Sequence, residues 1–173
     1  MLRVKKVVNQ LFENWRDTMS ADMDEFIERL NDAMAWELAG VIQYMQHGVM
    51  VTGPHREYLM EFFHEGSEEA RDHAELVGNK IASFGYVPTV EPQKIRQAGN
   101  AADMLEAALA LEKDALAAWE HAYELAEVSN QGTMFWIEEH IAEEQEHVDE
   151  LRKMTQEIGF SDEQFGGGAR KSG

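Results

Sequence analysis

Residues 36–44 read WELAGVIQY, and the acid inside this run decides the fold. Around it Phe26, Leu30, Met34, Leu38, Val41 and Met45 recur at three- and four-residue intervals, the period of a helix with one apolar face. Glu37 falls within that face, where a carboxylate is costly unless it is paired or holds a metal ion. Three more acids sit the same way. Glu69 lies between Phe62, Phe63 and Leu76; Glu112 follows the run ALAL and precedes Ala115; Glu144 lies between Ile141 and Val148. Glu37 to Glu69 and Glu112 to Glu144 are both 32 residues, so two helix pairs superpose with an offset of 75. Tyr44 and Trp119 keep the same offset, each two helical turns beyond its pair's first Glu.

The surrounding sequence supplies the helices that these acids need. The first runs from Ser20, a candidate N-cap followed by Asp22, Asp24 and Glu25, to Val51, and Gly53 and Pro54 end it. The second runs from His55 to Phe84 and stops at Gly85. Residues 86–100 lack a helical period and are long enough to carry the chain from one end of a helix about 45 Å long to the other. Asn100 caps a third helix reaching Val128, and after Ser129, Asn130 and Gly132 a fourth spans Thr133 to Ile158, with Gly159 as its C-cap. Short, long and short connections describe an all-α, antiparallel four-helix bundle with one long crossover between helices 2 and 3. Residues 1–16 read as a short amphipathic N-terminal helix. The expected organisation is an extension over 1–19, the bundle over 20–159 and a flexible tail over 160–173.

Composition narrows the function classes. The chain has 173 residues, with 33 Asp plus Glu against 15 Lys plus Arg and a formal net charge of -18, which argues against nucleic acid as a partner and for cations. Zero Cys excludes thiol catalysis, disulfides, zinc fingers and thiolate-held iron–sulfur sites. No apolar run approaches the roughly 20 residues of a membrane span, and the charged first 16 residues do not form a signal peptide, so no membrane partner and a cytoplasmic location are expected.

Histidines complete the pattern on the second and fourth helices. Glu144 and His147 are three residues apart and Glu69 and His73 four, each pair on one helix face. Two Glu-plus-His helices facing two Glu helices make a carboxylate-rich site with two imidazoles, suited to iron or manganese rather than to metals that prefer soft ligands. His140 shares a face with Glu144 and His147, as an outer neighbour of the site, a ligand on its entry route or, more simply, a solvent-exposed residue. Glu68, Glu143, Glu146 and Glu150 read as solvated.

At these residues the chain resembles a known family. WELAGVIQY at 36–44, EEARDHAEL at 68–76, LALEKDAL at 109–116 and EEQEHVDEL at 143–151 are similar to the four ligand-bearing helices of the ferritin-like superfamily, bacterioferritins above all. The resemblance implies a centre of two iron ions, with manganese as the alternative. Glu37 and Glu112 would be terminal ligands, Glu69 and Glu144 bridging ligands, and His73 and His147 imidazole ligands, with Tyr44 beside the site. It implies oxidation of Fe(II) by dioxygen or hydrogen peroxide for iron storage or detoxification, in a homo-oligomer ranging from a dimer to a 12- or 24-subunit shell. A diiron peroxidase or oxygenase of the rubrerythrin type, and a metal-binding bundle with weak turnover, are the alternatives. One departure stands out. The family places Glu three residues before His on both helices, but here Ala70 occupies that slot and Glu69 is one residue further back. Either Glu69 reaches inward through a local helix bulge, or the first half-site lacks its bridging carboxylate. The Met that binds heme in bacterioferritins is also missing from its position, so no heme is expected there.

Overall fold

The structure, a computed structural model, describes the backbone of residues 2–155 and the side chains of residues 20–155. Four α-helices carry the described chain: α1 (Leu2–Met50), α2 (Arg56–Ser83), α3 (Ala101–Tyr123) and α4 (Gln131–Met154), with a 3-10 turn at Ala126–Val128. The four-helix bundle with a long crossover is as the helix periods predict. The N-terminal stretch is helical too, but it continues into α1 without a break, so Ser20 lies inside the helix instead of capping it. No Gly or Pro occurs before Gly40, so nothing in the sequence interrupts the backbone ladder there. The expected end of the last helix at Ile158, its Gly159 cap and the C-terminal tail lie outside the described residues.

The helix ends have local causes. Asn100 and Asn130, both extended, accept hydrogen bonds from the backbone N–H groups of Asp103 (3.1 Å) and Thr133 (3.0 Å), so α4 starts two residues earlier than its apolar pattern suggests. The third helix ends five residues early and finishes in the 3-10 turn. Gly85 takes φ +86° just beyond α2, a conformation natural to glycine, and releases the chain into the crossover. α1 runs antiparallel to both α2 and α3. Gly40 faces Ala70 and Gly66 faces Tyr44 between α1 and α2, while Gln43 reaches Ala107 and Trp119 reaches Glu37 between α1 and α3.

The crossover lies along α1 as a tied strap. Thr89 N–H donates to Asn31 Oδ1 (2.7 Å), Gln93 N–H to the Ala35 carbonyl (2.8 Å), and Arg96 N–H to Gln43 Oε1 (2.7 Å). Gln43 also donates to the Ala107 carbonyl of α3 at 3.0 Å, so one buried carboxamide pins the crossover and α3 to α1. Irregular backbone this close to a core needs such partners for its polar groups.

The interior is built in three tiers. Phe26, Ile27, Leu30, Val77, Ile81 and Ile137 pack one end of the bundle with Ala118, Trp119 and Ala122. Phe63, Leu59, Met104, Leu111, Val148 and Leu151 pack the other with Ala39 and Tyr44. Between these apolar tiers lies a polar layer holding Glu37, His73, Glu112, His140 and Glu144, all buried. No helix among the described residues is long and apolar enough to cross a membrane. Leu30 is fully buried in the first tier, so Leu30→Ala is expected to lower unfolding stability by about 2–5 kcal/mol, measured by chemical denaturation of the metal-free protein.

Candidate metal centre

α1, α2 and α3 each deliver one carboxylate or imidazole to the polar layer, Glu37, His73 and Glu112, and α4 delivers Glu144, His140 and His147. Glu37, Glu112 and Glu144 are 3%, 7% and 1% exposed, a depth at which unpaired carboxylates are not tolerated. His73 Nδ1 stands 3.1 Å from Glu144 Oε1 and 3.6 Å from Glu37 Oε2. His147 Nδ1 stands 3.7 Å from Glu112 Oε2 and 3.9 Å from Glu144 Oε2. Two groups result, Glu37–His73–Glu144 and Glu112–His147–Glu144. Within each, one donor atom per residue lies within 4.8 Å of the others. Glu144 belongs to both and offers one oxygen to each imidazole. The two imidazole rings are nearly parallel, 13° apart in plane, with centroids 6.3 Å apart.

The remaining atoms of the outer carboxylates are held crosswise. Tyr44 on α1 donates its hydroxyl hydrogen to Glu112 Oε1 on α3. Trp119 on α3 donates its indole N–H to Glu37 Oε1 on α1 at 2.9 Å. The residue two turns beyond each Glu therefore fixes the Glu of the other helix, which gives the 75-residue offset a physical meaning. A second crossing joins α2 and α4. His147 Nε2 lies 3.3 Å from Glu69 Oε1, and His73 Nε2 lies 3.5 Å from Glu143 Oε2. Glu69 and Glu143 each precede their own helix's His by four residues.

This crossing locates the one-residue departure. Glu69 corresponds in place to Glu143, not to Glu144, and Ala70 is the counterpart of Glu144. α2 is a regular α-helix through this stretch, with no bulge to turn Glu69 inward. One residue is about 100° of helix rotation, and the Glu69 side chain is 51% exposed while Ala70 is buried. The structure therefore brings Glu37, His73, Glu112, Glu144, His147 and Tyr44 together and leaves Glu69 outside both triads, against the outer nitrogen of His147. A cavity of about 140 Å³ adjoins the centre, lined among others by Ala70, Gly66, Tyr44, Phe62 and Leu111.

Sequence reading undervalued His140. It is 4% exposed, stacked on Trp119 at 4.6 Å and edge-on to Trp136 at 4.8 Å. Its spacing of four from Glu144 and seven from His147 already marked it as core-facing. Gln43 is fully buried and escaped notice, and His47, ambiguous from its spacing, is fully buried too, since a polar residue in an apolar stripe looks like a phase error until its surroundings are seen.

Electrostatics show what the layer lacks. Burial pushes the Glu144 carboxyl well above the ordinary range, and the charge of Glu37 adds to it. Glu144 Oε2 is buried without a hydrogen-bond partner among the described residues. Burial opposes charge on His73, but hydrogen bonds to Glu144 and Glu37 outweigh it and lift its pKa to about 10. The same balance lifts His147 to about 11, with Glu112 and Glu69 as partners. Burial opposes the charge of Glu112, yet the His147 hydrogen bond holds its pKa below the usual carboxylate value. Burial, reinforced by Glu112, raises the Tyr44 phenol, so it stays a neutral donor near neutral pH. Protons thus stand in for missing positive charge. Oxygen and imidazole donors converging on an orphaned carboxylate oxygen fit hard or borderline divalent cations.

Comparison with known proteins agrees with this geometry. Residues 27–160 match the ferritin-like domain family. The chain belongs to that family. It is 34% identical over 129 residues to a bacterioferritin of Brucella melitensis, covering 72% of this chain and 79% of the relative. A ferritin-like, diiron-carboxylate protein of Bacillus anthracis superposes with a TM-score of 0.74 at 31% identity, over 78% of this chain and 97% of that one. A bacterioferritin-related dodecameric thioferritin of Bacteroides fragilis, at 22% identity and TM-score 0.70, covers 83% of this chain and 94% of its own. At that identity it shows the fold alone.

Both imidazoles must lose a proton before they can ligate. Loading the metal-free protein with Zn(II) at pH 7 is expected to release at least about two protons per chain, measured by pH-stat titration. The same groups set stability. Their folded pKa values of about 10 and 11 exceed the unfolded value, so their contribution is complete below about pH 6.5 and lost as pH rises through 10 to 11. The melting temperature of the metal-free protein should fall over that range.

Proposed function

We propose that the bundle is an Fe(II)-oxidising centre, a ferroxidase serving iron storage or detoxification. The observation that carries this reading is the pair of Glu–His triads sharing Glu144 in the middle of the core. Fe(II) is the substrate: two ions give up two electrons, reducing one dioxygen to peroxide or one hydrogen peroxide to water. Glu37 with His73 would hold one ion, Glu112 with His147 the other, and Glu144 would lie between both. Trp119 and Tyr44 keep Glu37 and Glu112 from rotating away. Glu69 and Glu143 hold the outer nitrogens of the two imidazoles, which keeps each Nδ1 turned inward. The net charge of -18 raises the local concentration of cations around the molecule.

Assembly into a homo-oligomer belongs to the same reading. Ile42, Met45 and Val49 form one exposed apolar stripe on α1, and the B. fragilis relative is described as dodecameric. A second reading, a metal-holding bundle with slow turnover, is favoured by Ala70, which leaves the centre one bridging carboxylate instead of two.

Ferrous oxidation followed by ultraviolet absorbance tests these readings. Glu37→Ala and Glu144→Ala are each expected to abolish the fast phase while the variants remain helical by circular dichroism. Unchanged rates in both would sink the ferroxidase reading. Stoichiometric Fe(II) binding without oxidation by either oxidant, in the wild-type chain, would establish the slower bundle instead.

A further inference from the structure

α4 carries another pair of metal-competent donors that the two triads do not use. His140 and Glu143 lie one turn apart, with His140 Nδ1 3.1 Å from Glu143 Oε2. The same carboxylate oxygen is 3.5 Å from His73 Nε2, the nitrogen facing away from the triads. Donor atoms of His73, His140 and Glu143 all lie within 4.8 Å of one another. An ion bound at about 2.0–2.2 Å to nitrogen and oxygen holds neighbouring donors about 3–3.5 Å apart. The observed spacings therefore need little movement to close on one ion.

The surroundings are those of a built site. The His140 and His73 side chains are 5% and 9% exposed, whereas Glu143 is 48% exposed and opens the group to solvent. The His140 ring stacks on Trp119 and meets Trp136 edge-on, and His140 Nε2 is buried without a hydrogen-bond partner among the described residues. Aromatic packing and the Nδ1 contact with Glu143 together fix this imidazole, with Nδ1 aimed at the carboxylate.

We propose that His73, His140 and Glu143 form a separate divalent-cation site that loads the Glu37–His73–Glu144 triad. A neutral imidazole has one lone pair and one N–H. His73 turns Nδ1 to the triad and Nε2 to this outer group, so it serves one ion at a time. With an ion outside, Nδ1–H faces Glu144 and Glu37; with an ion inside, Nε2–H donates to Glu143. The shared ring makes the two positions alternatives, and transfer between them is a tautomer exchange over a few ångströms. The transfer rests on the triads being metal sites; binding at the outer group does not.

Crystals of the wild-type, Glu37→Ala and Glu37→Ala/His140→Ala chains soaked in Zn(II) test this by anomalous scattering at the zinc edge. Weakening the triad at Glu37 should drive an ion to His73 Nε2, His140 and Glu143, and adding His140→Ala should remove that ion while the Glu112–His147–Glu144 ion stays. In solution, His140→Ala should slow Co(II) uptake, read from its visible absorption, by at least about 10-fold, the scale on which groups around a metal site act. No density at the outer group in either His140-containing chain, with the Glu112 triad filled, would overturn the proposal. Full occupancy of both positions around His73 in the wild type would overturn the transfer. Density at the outer group with both triads empty would support the outer site and remove the ferroxidase reading, whereas no zinc at any of the three positions would remove both.

Discussion

Three carboxylates buried in one layer of a hydrophobic bundle are the constraint around which the molecule is arranged. Removing one charge from water costs several kcal/mol even after relaxation, and three like charges at close range add repulsion. The fold answers with two imidazoles, an indole N–H and a phenol, each donated from a different helix. All four helices are therefore committed to the same layer. The apolar tiers on either side supply the stability that lets this layer exist, and they keep it dry enough for its charges to matter.

The neutralisation is incomplete without a guest. One oxygen of Glu144 has no hydrogen-bond partner among the described residues, and the two imidazoles are held protonated well above their ordinary range. A divalent ion in each triad would replace those protons with charge fixed in place. Function and folding here share one electrostatic requirement, which protons meet only in part in the metal-free chain and metal ions would meet in the loaded one.

Much of this was legible in the sequence. The four helices follow from apolar spacing, the crossover from a 15-residue stretch without period, and the buried acids from their position within apolar runs. Tyr44 and Trp119 were marked by their common offset, although spacing alone could not show that each reaches the other helix's Glu. Glu69 shows where pattern reading stops. Two adjacent glutamates bracket the face boundary, and the 32-residue spacing matched Glu69 to Glu144, a match that the crossed contacts of Glu69 and Glu143 shift by one residue because loop and helix lengths are free to vary between pairs. Only coordinates reveal that Ala70 faces inward and that Glu69 corresponds to Glu143. His140 was undervalued for a different reason: its spacing from Glu144 put it on the core-facing side, but no periodicity reports that its ring will stack on one indole and meet the edge of another. The unbroken α1 escaped notice because Ser20 with three following acids is a good start signal, yet an equally acceptable interior when helix precedes it.

The bond from Trp119 to Glu37 also has an optical consequence. Trp119 has no solvent exposure, its N–H rests on a carboxylate of the centre, and its ring lies against His140 and Trp136. The emission of an indole responds to nearby charge and to the polarity of its hydrogen-bond partner. When the charge around Glu37 changes, this indole is in direct hydrogen-bond contact with that carboxylate. The chain thus carries its own fluorescent reporter of the state of one half of the centre, distinct from the other half, where a tyrosine occupies the corresponding place.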